Sequence, residues 1–164
     1  MPSGHIIQAA ADPSKMLMAA HTHRACPFVA AHYFDTGKVA TITAHENLSL
    51  TKSYLQSSSI NLSDKNLGPS PILMLGAVLS TQSSAAVTSV DLSGNFITGA
   101  RPVTSQEEYD AHGDFMPESE YAGLEQLCKA ISSSAIKDLN ISNNHLGPKS
   151  MSTLSTQVTW STAR

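Results

Sequence analysis

The sequence predicts an α/β fold: a short arc with parallel strands on its concave side and helices on its convex side. Three observations carry that expectation. Three decapeptides fall into register, INLSDKNLGP from Ile60, VDLSGNFITG from Val90 and LNISNNHLGP from Leu139. Each opens with apolar, polar, apolar residues, the signature of a short strand with one buried face. Segments with apolar residues at helical spacing follow them.

The strand positions are Ile60 and Leu62, Val90 and Leu92, Leu139 and Ile141, with Asn61, Asp91 and Asn140 between them. A serine follows each strand, as Ser63, Ser93 and Ser142, and an apolar residue returns at Leu67, Ile97 and Leu146. Asn95 and Asn144 lie where the chain must turn. An Asn side chain holds both donor and acceptor, so it can bond backbone groups leaving a sheet. Gly68-Pro69 and Gly147-Pro148 mark the turns into the return segments.

The first return segment places Ile72, Leu75, Val78 and Leu79 on one helical stripe after Pro71, which suits a first turn. Leu124, Leu127, Cys128 and Ile131 form a second stripe. Met151, Leu154 and Val158 form a weaker third among β-branched threonines. Cys128 reads as buried packing on its stripe.

These residues, over 57–160, resemble leucine-rich repeats of the ribonuclease-inhibitor type, L-x-x-L-x-L-x-x-N-x-L followed by a helix. The best matches are Val87-x-x-Val90-x-Leu92-x-x-Asn95-x-Ile97 and Ile136-x-x-Leu139-x-Ile141-x-x-Asn144-x-Leu146. The resemblance implies a stacked array with a concave binding face. Two departures stand out. Lys65 occupies the Asn position of the first repeat, with Asn66 one place late. The second strand follows the first by about 30 residues and the third follows only after about 50, against about 20–29 for common repeats of this kind. The excess maps to 101–121, which holds Glu107, Glu108, Asp110, Asp114, Glu118 and Glu120, six of the thirteen acids. It reads as a surface insertion, a solvated loop or an acidic contact surface for a basic partner. A calcium loop is excluded, because alternating D-x-D-x-D-G spacing is missing.

Residues 1–45 form an N-terminal tail or cap and 46–160 the repeat domain. A capping strand is expected over Lys38–Ala44 and a capping helix over Glu46–Gln56, since an end repeat has an unstacked face. A partly disordered leader is the other reading of the Ala-rich start. Residues 1–34 hold a single acid, Asp12, beside Lys15 and Arg24, a faint transit-peptide character. The Ser- and Thr-rich segment 150–164 lacks a helix stop signal and reads as a frayed or truncated end.

Composition narrows the function. Only 14% of the 164 residues are charged, the formal net charge is -3 and the pI about 6.1, so an overall basic nucleic-acid binder is excluded. Two cysteines exclude a disulfide-stapled miniprotein. The run from Pro71 to Leu79 is too short to span a bilayer, which takes about 20 residues. Residues 1–20 lack a charged start followed by a sustained apolar stretch, so no secretory signal is expected, the Asn-x-Ser triplets at Asn47, Asn61 and Asn140 read as coincidental, and a cytoplasmic setting is expected.

No nucleophile elbow or phosphate loop is present, and no enzyme is expected. His21 and His23, with Cys26 and His32 nearby, are ligand types, but no second cluster matches them, so neither a metal nor a cofactor is expected. In an arc, the polar strand residues make columns across the concave face. They are Asn61, Asp91 and Asn140; Ser63, Ser93 and Ser142; and Ser59, Ser89 and Asp138. Asn95 and Asn144 serve the turns. The face lacks the aromatic and Arg anchors of tight interfaces. The expected function is non-catalytic binding of another protein through this face, with neither nucleic acid nor membrane as partner. One alternative is a regulator resembling the leucine-rich-repeat GTPase activators, which rely on an Arg in an early repeat and an acidic tail; here no Arg lies between Arg24 and Arg101. The other, less favoured, is a metal-binding protein using the N-terminal histidines.

Overall fold

The computed structural model describes residues 8–9, 15–17, 28, 31–32, 35–37 and 41–158. The fold is mixed α/β. Its N-terminal sheet has the order β1 (Gln8–Ala9), β2 (Lys15–Leu17), β3 (Thr41–His45) and β4 (Leu48–Thr51). β2 runs parallel to β3, and β3 forms an antiparallel hairpin with β4. In the hairpin Ile42, Ala44, Leu48 and Leu50 alternate into the core. That period of two decides the conformation. The expected helix over Glu46–Gln56 is therefore corrected: 48–51 is strand, and only α1 (Lys52–Leu55), capped by the Thr51 hydroxyl, is helical. Glu46 and Asn47 form the hairpin turn, so the expected division at 45/46 falls between two paired strands.

The second sheet is parallel, in the order β5 (Ser59–Asn61), β6 (Ser89–Asp91), β9 (Asp138–Asn140). Its register aligns Ser59 with Ser89 and Asp138, Ile60 with Val90 and Leu139, and Asn61 with Asp91 and Asn140. The decapeptides thus pair in the register in which they align as sequence. Helices α2 (Pro69–Leu79), α4 (Ala122–Ser133) and α5 (Pro148–Gln157) follow the three strands, and α4 packs against both α2 and α5. Ile72, Leu75, Val78, Leu79, Leu124, Leu127, Cys128 and Ile131 are all buried in one core with Ile60, Leu62, Val90 and Leu92. Fully burying one such side chain stabilises by about 1.5–3 kcal/mol relative to leaving it in water.

α2 and α4 touch backbone to backbone. A Cβ on Gly76 would meet Leu127 N at 3.0 Å, and one on Gly123 would meet Pro69 O at 2.5 Å. The α5 stripe differs from expectation. Leu154 and Val158 are buried, but Met151 is 55% exposed and Ser150 is fully buried in the row beside it.

The 101–121 insertion is not a plain loop. β7 (Arg101–Pro102) pairs antiparallel with β8 (Phe115–Met116), and α3 (Gln106–His112) lies between them. Ser105 caps α3 by accepting from Glu108 N at 3.2 Å. Glu108 makes a two-pronged ion pair with Arg101 and accepts from Thr104 N at 2.8 Å. The Arg101 hydrogen bond and then the Thr104 amide hold its carboxyl down to about 2.

Candidate functional site

The sheet register brings the predicted columns together. Strand alternation sends Ile60 and Val90 inward and leaves Ser59, Asn61, Asp138 and Asn140 exposed, with Ser89 and Asp91 half-buried. The first two columns are not independent sets of contact groups, however. Each Asn or Asp accepts from the serine two residues on. Asn61 Oδ1 accepts from Ser63 N at 2.9 Å and Ser63 Oγ at 2.8 Å. Asp91 Oδ1 accepts from Ser93 N at 2.9 Å and Ser93 Oγ at 2.7 Å. Asn140 Oδ1 accepts from Ser142 N at 3.2 Å and Ser142 Oγ at 2.8 Å.

These are Asx turns that end each strand. The Ser93 hydrogen bonds lower the pKa of Asp91, burial opposes them, and Asn140 from the neighbouring strand adds to the lowering. Asp91 is thus held as a carboxylate at the centre of the face. The third column, Ser59, Ser89 and Asp138, is the one whose hydroxyls and carboxylate are not committed to such turns.

The residue after each of these serines, Asp64, Gly94 or Asn143, adopts a left-handed backbone, with φ of 54, 67 and 55°. Asp, Gly and Asn tolerate that region best. This shared position was present in the sequence as a small or Asx residue at one fixed offset, and the column reading passed over it.

Asn95 and Asn144 sit below the turns, both buried. Asn95 Nδ2 donates to Leu62 O and Leu92 O at 2.8 Å, and its Oδ1 accepts from Leu67 N at 2.9 Å and Lys65 N at 3.2 Å. One side chain therefore stitches the second turn to the first. Lys65 stands at the Asn position of the first repeat, and among the described residues no further strand pairs with β5 on its outer side. Asn47 of the hairpin turn donates to Lys65 O at 3.1 Å instead. Asn144 Nδ2 donates to Leu92 O at 2.9 Å and Ile141 O at 3.0 Å, but its buried Oδ1 has no partner among the described residues.

Glu118 is a structural residue that the sequence reading left among the acids of the insertion. Its Oε1 accepts from Gly147 N, just before α5, at 2.8 Å, from the Ser150 hydroxyl in the first turn of α5, and from Thr98 Oγ1 at 3.3 Å. A carboxylate there also suits the positive end of a helix. Burial works to raise its pKa, and the hydrogen bonds from Ser150, Gly147, Thr98 and Tyr121 outweigh it, so the carboxyl lies below its usual value. Beside it, Phe115, Met116, Tyr121 and His145 line an open cleft of about 480 Å3 between the insertion and the third turn. Phe115 lies 5.0 Å from His145, centroid to centroid, and Lys149 Nζ lies 3.8 Å over the Tyr121 ring.

Among the described residues no group of three or more His, Cys, Asp or Glu is placed to hold a metal ion. His21, His23 and Cys26 lie outside the described residues, and His32 is exposed. Cys128 is a free, buried thiol, pushed up to about 11 mainly by burial. No helix among the described residues is long and apolar enough to cross a membrane. Comparison with family models, curated proteins and solved structures finds no match for this chain.

Proposed function

We propose that the chain is a non-catalytic protein-binding module of the leucine-rich-repeat type, using the polar face of its parallel sheet as the concave surface. One observation supports this reading above the others. The in-register pairing of β5, β6 and β9 sets Ser59, Ser89 and Asp138 beside Asn61, Asp91 and Asn140 as a continuous polar patch with Asp91 ionised. Such a patch suits a partner that offers backbone amides and one or two cations. A cytoplasmic setting fits Cys128 as a free thiol.

The test is affinity capture with the intact chain as bait. Asp91→Arg should abolish recovery of the partner. Asp91 also closes a turn, so Asp138→Arg, which disturbs no such turn, is the second variant. Undiminished recovery with both would place the partner elsewhere and sink the proposal.

A further inference from the structure

The two outer edges of the parallel sheet differ in chemistry. On β5, Ser58 O accepts from Thr88 N and Ser89 N, and Leu62 N donates to Asp91 O, so the even-numbered residues bond β6 and Ser59 and Asn61 face outward. Three of those four outward groups are taken. Tyr54 OH donates to Asn61 O at 3.1 Å, and Ser57 Oγ donates to Ser59 O at 3.0 Å and accepts from Ser59 N at 3.4 Å. On β9, Asp138 N donates to Thr88 O, while Asn140 O and Ser142 O accept from Leu92 N and Gly94 N. Leu139 and Ile141 therefore face outward, and among the described residues only Ile141 O is taken, by Asn144. No strand covers that edge among the described residues.

The side chains tell the same story by position. Ile60 and Val90 are 0% and 1% exposed, and their counterpart Leu139 is half-buried. Leu62 and Leu92 are buried where Ile141 is half-buried, and Leu67 and Ile97 where Leu146 is half-buried. An open edge with apolar flanks is a template for strand pairing.

We propose that this edge pairs with the same edge of a second copy of the chain, β9 antiparallel to β9 about a two-fold axis through Leu139. Two features select a second copy. The β5 edge, with Asn61 O and both backbone groups of Ser59 already bonded, offers β9 no continuous ladder, so head-to-tail growth is disfavoured and a closed, two-fold contact is preferred. The edge is also complementary to itself. With Leu139 on the axis, it exchanges both backbone hydrogen bonds with Leu139 of the second copy, and Ile141 N–H donates to the Lys137 carbonyl across the axis. Asp138 then lies opposite Asn140 of the second copy, twice. This repeats across the interface the Asp–Asn pairing that Asp91 makes with Asn140 within one chain. The proposal is independent of the partner-binding reading, since it leaves the sheet face open.

Sedimentation velocity on the full chain, from low to high micromolar, should show a monomer–dimer equilibrium. Hydrogen exchange of the peptide 137–143 should slow as concentration rises. Asn140→Asp puts like charges opposite each other at both symmetric contacts and should raise the dissociation constant about tenfold. Adding Asp138→Lys to that variant restores opposite charges and should restore the dimer. A monomer at every concentration overturns the proposal. So does a dimer that ignores Asn140→Asp, or one that Asp138→Lys fails to rescue. Loss of binding to a captured partner, with the dimer intact, would touch only the function proposed above.

Discussion

The junction between the first and second strands and that between the second and third look alike in sequence and differ in chemistry. At the first, Asn95 uses donors and acceptor together, bonding backbone groups of both turns. At the second, Asn144 keeps its donor bonds, but its buried Oδ1 has no partner among the described residues. Beyond Ile97 the second turn leads into the insertion, where Thr98 O accepts from Ser119 N and Glu120 N, and Thr98 Oγ1 donates to Glu118. Glu118 in turn reaches from the insertion to the start of α5. An identical motif residue can therefore carry unequal weight, decided by how many of its polar atoms meet backbone partners.

Substitutions can break this comparison. Asn95→Ala should have the largest effect. It strands Leu62 O, Lys65 N and Leu67 N, while Leu92 O keeps its bond from Asn144 Nδ2, and each buried group left unpaired costs about 1–3 kcal/mol. A loss of about 3–5 kcal/mol in chemical denaturation is expected, a large part of the about 5–15 kcal/mol that holds a typical domain. A loss below about 1 kcal/mol would refute the stitching role.

Gly123→Ala comes next. Its methyl would fall 2.5 Å from Pro69 O, a backbone atom, so α2 and α4 must move apart. Overpacking of this kind costs about 1–3 kcal/mol. A denaturation midpoint equal to that of the parent chain would show that the helices are not in backbone contact.

Asn144→Ala should cost about 1–2 kcal/mol, less than Asn95→Ala, because one of its polar atoms is already without a partner. Equal losses at the two positions would erase the asymmetry between the junctions.

The smallest effect is a pH dependence. The folded pKa of Glu118 is lowered, so the unfolded chain takes up its proton first as acid is added. The stability from this residue is present above the ordinary glutamate value and is lost as pH falls below it toward the folded pKa. The parent melting temperature should drop more steeply than that of Glu118→Gln below about pH 4.5, near the usual carboxyl value. Parallel melting curves would remove Glu118 from the tie between insertion and α5.

The strands, the register and two of the three helical stripes were legible because they rest on periodicity, which core burial enforces at Ile60, Val90, Leu75 and Leu127. The hairpin was misread because Leu50, Tyr54 and Leu55 also satisfy a helical spacing, and four residues of Leu48–Thr51 are too few for one period to beat the other. Met151 failed for a related reason. Leu154 and Val158 fix the stripe, and the position one turn before Leu154 is Ser150, whose hydroxyl is wanted by Glu118. At the site, the columns were legible as positions, but their bonding was not. Whether an Asn meets a partner or a neighbouring serine depends on a backbone turn two residues long, which only coordinates reveal. Glu118 was out of reach because its partners lie 29 and 32 residues downstream.

The strand-ending turn also bears on how such a chain could have grown. Its Asx position accepts Asn61 or Asp91, its left-handed position accepts Asp64, Gly94 or Asn143, and the aligned strands β5 and β6 lie 30 residues apart. A duplicated stretch of that length would bring its own fastener and find a matching one on each side. Tandem copying of DNA could therefore lengthen this molecule in a single event, without a second change to make the new segment fit.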